Sequence, residues 1–132
     1  IWCISPVEDV ERNLASTGYP MDHVEIIKGD VLETLANFVP NQIALLRLDT
    51  DWYESTKMEL EVLYPRLVSG GVCMLDDYGY WKGAKKAVDE YFIKNGVVVY
   101  MHRIDDTSRI FIKPQSGFCS YYSYNHQSHI QF

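Results

Sequence analysis

Two short, almost unbroken apolar runs organise the hydrophobic pattern of this chain. Ile43-Ala44-Leu45-Leu46-Arg47-Leu48 runs straight into Asp49-Thr50-Asp51, and Val72-Cys73-Met74-Leu75 runs into Asp76-Asp77-Tyr78. Between them Thr56, Leu60, Leu63 and Leu67 recur at helical spacing. Apolar runs of strand length on either side of a helical stretch predict parallel strands covered on both faces. Such strands deliver their C-terminal ends to one rim. Pro65 ends or kinks the helix, and Ser69-Gly70-Gly71 turns the chain into the second strand.

Upstream, Ser5-Pro6-Val7-Glu8 reads as a helix start, with Ser5 as N-cap, Pro6 as first helical residue and Glu8 closing a capping box. Val7, Val10 and Leu14 share a face, and Gly18 stops that helix. His23-Val24-Glu25-Ile26-Ile27 alternates like a half-buried or edge strand. Asp30-Val31-Leu32-Glu33 is a second capping box, opening a short helix that stops before Pro40. Downstream, a helix from about Trp81 to Lys94 has Ala84, Ala87, Val88 and Tyr91 on its inner face and closes at Asn95-Gly96. Lys82, Lys85 and Lys86, near its start, read as a solvated face. Val97 to Ile104 and Arg109 to Lys113 predict two strands, which the short connection Asp105 to Ser108 makes antiparallel. Gln115 to Phe132 is polar and aromatic without a period and reads as a loosely held tail, dividing the chain into 1–114 and 115–132. Within it His126 and His129 have a ligand-like spacing, which alone is weak evidence for metal.

A length of 132 residues bounds the chain to one domain with enough apolar content for a core. A formal net charge of -6 argues against a general nucleic-acid binder, which needs a basic face. No run is long and apolar enough to span a bilayer and no signal peptide is visible, so no membrane partner is expected. The cysteines, Cys3, Cys73 and Cys119, are odd in number and far apart, and Cys73 sits mid-strand, where a thiol packs as a small hydrophobe. A reducing cytosol suits that usage. The chain begins Ile1-Trp2-Cys3 and holds no Gly-x-Gly-x-x-Gly turn, as though it opened after one.

Neighbouring strands lie about 4.8 Å apart, so Asp49 and the Asp76-Asp77 pair are expected to converge. Carboxylates packed so closely repel one another unless a cation or a proton is shared. Asp51 is the obvious proton acceptor, yet it sits where an N-cap belongs, with Glu54 three residues on. Capping stands ahead of catalysis for Asp51, and the residue could do both. Asp30 likewise reads as a cap. Tyr53, Tyr78, Trp52 and Trp81 suit either the mouth of a substrate site or ordinary aromatic packing. An apolar strand followed by Asp-x-Asp and a later Asp-Asp also fits a haloacid-dehalogenase-type phosphatase, although Tyr53 stands where that motif expects Thr or Val. A glycosyltransferase Asp-x-Asp is a further alternative. The non-enzymatic reading is a partner-binding domain, in which an exposed apolar sheet edge would favour a homo-oligomer.

The ordered set Leu46-Arg47-Leu48-Asp49-Thr50-Asp51-Trp52-Tyr53-Glu54-Ser55-Thr56, Leu63-Tyr64-Pro65-Arg66-Leu67, Gly70-Gly71 and Asp76-Asp77-Tyr78-Gly79 closely resembles the macrocin O-methyltransferase family, over roughly Val7 to Pro114. The resemblance implies an α/β fold: the Rossmann-like sheet of a class I methyltransferase with a C-terminal antiparallel hairpin. The family's N-terminal strands and Gly-rich turn, which hold the methionine and ribose portions of its cofactor, have no counterpart in the chain. The strand expected at His23 would normally pair with one of them. S-adenosylmethionine and magnesium are the implied cofactors, and the implied acceptor is a hydroxyl of a sugar or natural-product-like small molecule. Asp49, Asp76 and Asp77 are the implied metal ligands, with Asp49 and Asp51 as catalytic residues. Gly29, Asp30 and Val31 lie where related folds touch the adenine ring. Thr50 stands where the family usually has Gly. Weak or no turnover is expected from this chain alone.

Overall fold

The computed structural model describes residues 5–115, so His126, His129 and almost all of the expected tail lie outside the described residues. The chain divides into two compact units, Ile1–Phe38 and Val39–Phe132.

In the first unit, helix α1 spans Val7–Ser16. It starts one residue later than expected: Pro6 holds the N-cap position, no side chain caps it, and the Ser5–Glu8 box does not form. The Pro6 carbonyl accepts from the N–H groups of Asp9 and Val10 instead. Gly18 stops the helix as expected, in the left-handed region at φ +77°, donating its N–H to the Ala15 carbonyl. The alternating stretch at His23 is not a strand. A 3₁₀ turn takes Met21–His23, and Val24 is extended at φ -110°, ψ 125° but joins no sheet among the described residues. Alternation without a neighbouring strand gives its N–H and C=O groups no ladder to enter. Helix α2, Val31–Thr34, starts as predicted, with Asp30 accepting from the Leu32 N–H at 2.9 Å.

The second unit carries the sheet. Strand β1 is Ile43–Leu48, helix α3 Tyr53–Leu63, strand β2 Leu67–Leu75, helix α4 Lys82–Asn95, strand β3 His102–Arg103 and strand β4 Arg109–Ile112. The strand order is β1-β2-β4-β3. β1 and β2 are parallel, with Leu46 beside Cys73 and Leu48 beside Leu75, while β4 is antiparallel to both β2 and β3. The α/β class and the closing hairpin follow the expectation, although β3 is only two residues long and Val97–Met101 stay unpaired.

One face of this sheet is buried. Leu46, Leu48, Cys73, Leu75 and Phe111 meet Leu60 of α3 and Val88 and Phe92 of α4, closed by Tyr64 and Leu67. Burial lifts the Cys73 thiol to about 12, which keeps it a packing residue. Coverage on both faces does not hold within this unit: Leu45, on the opposite face, is 63% exposed, because α3 and α4 pack against the same side. Ser69-Gly70-Gly71 is likewise no turn. It lies inside β2, where the pairing skips from Ile43–Leu67 to Leu45–Val72, and Gly70 takes φ +82° at the irregularity. The chain turns earlier, through a 3₁₀ segment Tyr64–Arg66 in which Pro65 ends α3. Gly96 closes α4 at φ +62°.

Candidate metal centre

The parallel pairing of β1 and β2 brings their tips side by side, and the Asp76 N–H donates to the Leu48 carbonyl at 2.9 Å, carrying the ladder one step beyond β2. One carboxylate oxygen from each of Asp49, Asp76 and Asp77 lies within 4.8 Å of the others. The expected convergence is therefore present. The donor set is all oxygen, partly exposed and open to water, which suits a hard divalent cation such as magnesium. Beneath it the packing closes: a crevice lined by Leu48, Thr56, Leu75, Asp77, Tyr78 and Val88 has a free volume of only about 10 Å³.

The acids are not uncompensated. Arg47, which the strand alternation places on the same face as Asp49, reaches Asp49 Oδ2 at 2.7 Å and Asp76 Oδ1 at 2.8 Å. Asp77 lies outside that bridge. Burial first, and the neighbouring Asp51 carboxyl second, push the Asp77 carboxyl up to about 6.

Asp51 is where the sequence misleads. It is not the N-cap of α3, which begins at Tyr53 with Trp52 in the cap position and no side-chain cap bond. Asp51 instead takes a left-handed φ of +63°, unusual for a residue with a side chain, and its N–H donates to Asp77 Oδ2 at 3.3 Å. A tight bond across Asp51, from the Trp52 N–H to the Thr50 carbonyl at 2.6 Å, goes with that φ, and the tie to Asp77 holds the turn beside β2. The capping reading is thereby removed and its carboxyl is left beside Asp77.

Two further residues belong to this tip and carried no functional expectation. Thr50 Oγ1 donates to Glu59 Oε2 at 2.9 Å, and Glu59, on α3, is 6% exposed. Burial outweighs that hydrogen bond and lifts the Glu59 carboxyl to about 7, with Asp49 and Asp77 adding repulsion. A signal was available: Glu59 falls three residues after Thr56 and next to Leu60, so the buried stripe of the helix carries an acid.

The aromatic residues divide. Tyr53 OH donates to Glu90 Oε2 at 2.6 Å and Tyr78 OH donates to Asp89 Oδ1 at 2.7 Å, so both hydroxyls anchor to α4. Trp52 and Trp81 pack with ring centroids 5.7 Å apart, Trp52 largely exposed beside Asp51. Lys85 and Lys86 pair with Asp89 and Glu90 one turn along their own helix, as a solvated face does.

Gly29, Asp30 and Val31 sit at the start of α2 in the first unit. Asp30 caps that helix through Oδ1. A Cβ at Gly29 would come within 2.7 Å of the Thr34 side chain, so only glycine fits that turn. An open groove of about 580 Å³ in the first unit, lined by Glu8, Glu11, Arg12, Met21 and Val24, contains none of these residues. Among the described residues no helix is long and apolar enough to cross a membrane.

A family model described as macrocin-O-methyltransferase (TylF) matches residues 3–113. The chain is 36% identical over 102 residues to the 8-demethyl-8-(2,3-dimethoxy-alpha-L-rhamnosyl)-tetracenomycin-C 4'-O-methyltransferase of Streptomyces olivaceus, covering 77% of this chain and 39% of that protein. It is 36% identical over 98 residues to the demethyldecarbamoylnovobiocin O-methyltransferase of Streptomyces niveus, covering 74% and 37%. Among solved structures, the O-methyltransferase NovP superposes with a TM-score of 0.77 at 32% identity, covering 82% of this chain and 45% of NovP. The chain spans about two fifths of the length of the curated relatives it matches.

Proposed function

The chain belongs to the macrocin O-methyltransferase family, and from that premise we propose that it is the metal-binding, acceptor-activating part of an S-adenosylmethionine-dependent O-methyltransferase. The observation that carries the reading is the meeting of Asp49, Asp76 and Asp77 at the tips of two parallel strands. Family membership favours methyl transfer over the phosphatase and glycosyltransferase alternatives, which rested on the pattern of acids after the strands.

Asp49, Asp76 and Asp77 would hold magnesium, which supplies a Lewis acid that lowers the pKa of an acceptor hydroxyl. Asp51 would take the proton from that hydroxyl: its carboxyl lies beside Asp77, on the tip that also carries Asp49. Arg47 sets the charge of the cluster by binding Asp49 and Asp76. Gly29, Asp30 and Val31 suit the adenine of S-adenosylmethionine: the glycine keeps the turn free of a side chain, and the cap uses one oxygen of Asp30. The acceptor is a small molecule with a free hydroxyl, a sugar or an aglycone, since two relatives are named for acting on a rhamnosyl-tetracenomycin and on demethyldecarbamoylnovobiocin.

The test is calorimetric titration of the chain with Mg²⁺ and Mn²⁺, followed by transfer of a labelled methyl group from S-adenosylmethionine to a 6-deoxysugar glycoside. Saturable cation binding that disappears in Asp77→Asn supports the reading. Wild-type chain without any cation heat would overturn it.

A further inference from the structure

Glu59 is a buried acid whose position calls for a reason. Among the described residues it takes part in no ion pair, and its hydrogen-bond donor is the Thr50 hydroxyl. An acid removed from water without a cation destabilises a fold, so an apolar side chain there would pack at lower cost. What Glu59 does have is a grip on the residue between Asp49 and Asp51.

Thr50 is held at its hydroxyl and at its carbonyl. Its hydroxyl donates to Glu59, and its carbonyl accepts from Ser55 Oγ at 3.2 Å and from the Trp52 N–H at 2.6 Å. The same peptide unit continues into the Asp51 N–H, which donates to Asp77 Oδ2. The plane joining Thr50 to Asp51 is thus fixed on one side by α3 and on the other by the tip of β2. The Trp52 N–H to Thr50 carbonyl bond spans Asp51 as in a γ-turn and goes with its left-handed φ, while the two outer holds fix where that turn sits.

We infer that Glu59, acting through the Thr50 hydroxyl, is a positioning residue that locks the Asp49–Asp51 tip in the geometry its carboxylates need. The inference rests on the functional reading above for what the tip does, and not for whether the tip is locked. The working feature is the hydrogen bond. An amide at position 59 serves as well as a carboxylate, and a methyl group at position 59 does not.

Two measurements test it on the free chain and on the chain with Mn²⁺. Amide hydrogen exchange in the cation-free chain is followed by NMR for wild type, Glu59→Ala, Glu59→Gln, Thr50→Val and Thr50→Ser. Removing the bond, in Glu59→Ala or Thr50→Val, is expected to speed exchange at Asp51 and Trp52 by about tenfold. Glu59→Gln and Thr50→Ser should not show that local acceleration at Asp51 and Trp52, and amides of Leu46 and Cys73 should not share the acceleration in any of the four. Mn²⁺ titration should then show binding weakened by roughly 10–100-fold in the two bond-breaking variants only. Wild-type exchange at Asp51 in Glu59→Ala overturns the inference. So does equal acceleration at Leu46 and Cys73, which would make Glu59 a support of the whole fold, and so does a Glu59→Gln variant as loose as Glu59→Ala. Wild type that binds no Mn²⁺ sinks the functional reading and leaves the exchange data to decide this one.

Discussion

The backbone N–H of Asp51 donates to Oδ2 of Asp77 at 3.3 Å, tying the tip that follows β1 to the tip that follows β2. The bond crosses between parallel strands at the point where their ladder ends, so the two loops are not independent. It also sets two carboxyls against each other. Their repulsion is one reason the Asp77 carboxyl stays protonated to higher pH than an ordinary aspartate. The cluster is therefore built at a cost to the cation-free fold, and the cost is what a bound cation would relieve.

Asp51→Asn separates proton acceptance from structure. Asparagine tolerates the left-handed backbone and keeps the N–H that bonds Asp77, so the variant should fold and bind divalent cation as wild type does. Methyl transfer by the complete enzyme carrying this change should fall by roughly 10²–10⁴, the usual contribution of a positioned general base. Unchanged turnover would remove Asp51 from the chemistry.

Neutralising Asp77 should stabilise the cation-free chain and abolish its response to cation. The Asp77 carboxyl is raised to about 6, so the stability linked to its proton is complete below the ordinary value near 3.8 and is lost as pH rises through 6. At pH 7.5 Asp77→Asn should melt higher than wild type, and at pH 4 the two should coincide. Saturating Mg²⁺ at about a hundred times Kd should stabilise wild type by about 2.7 kcal/mol and leave the variant unmoved. A variant that melts lower at pH 7.5 would show that the charge cluster is not the liability described.

Glu59 has the same sign and a deeper setting. Its carboxyl is raised from 4.5 to about 7, so folding stability should fall as pH rises from 4.5 to 7, by an amount on the order of 3 kcal/mol before other groups are counted. Urea denaturation of Glu59→Gln at pH 5 and pH 8 should lack most of that difference. A wild type whose stability rises over this range, with no change in slope in Glu59→Gln, would contradict the burial of a charge there.

The carboxylate cluster was legible because it depends only on strand adjacency. β1 occupies the predicted Ile43–Leu48, and two parallel neighbours with acids after their last apolar residue must bring those acids together. The loop between them was not legible. Asp51 followed by Glu54 imitates a helix cap, and the tight Thr50–Trp52 bond together with the contact with Asp77, twenty-six residues away, overrides it. Gly70-Gly71 imitates a turn for a similar reason. A Cβ at Gly71 would lie 2.8 Å from Leu67 Cδ1 and 3.0 Å from the Ala44 carbonyl, so glycine serves a close strand approach rather than a reversal. The alternation at His23–Ile27 and Val97–Met101 says nothing about whether a partner strand is present, and neither stretch joins the sheet.

Arg47 offers a last prediction, because its guanidinium lies where a cation's charge would act. It touches Asp49 and Asp76 together, and as a half-exposed pair each contact stabilises the fold by about 0–1 kcal/mol. In Arg47→Met those two carboxylates lose their counter-charge, so the cation-free chain should melt slightly lower. Cation affinity should move the other way. A single positive charge about 5 Å from a divalent ion repels it by roughly 1.7 kcal/mol in water, and the guanidinium also competes for the same oxygens. Removing it should tighten Mn²⁺ binding by about tenfold at low ionic strength, and the gain should shrink toward 1 M salt as the charges are screened. Weaker binding in Arg47→Met would carry a different meaning: the arginine would be holding the two carboxylates in their binding geometry, and its loss would let them spread.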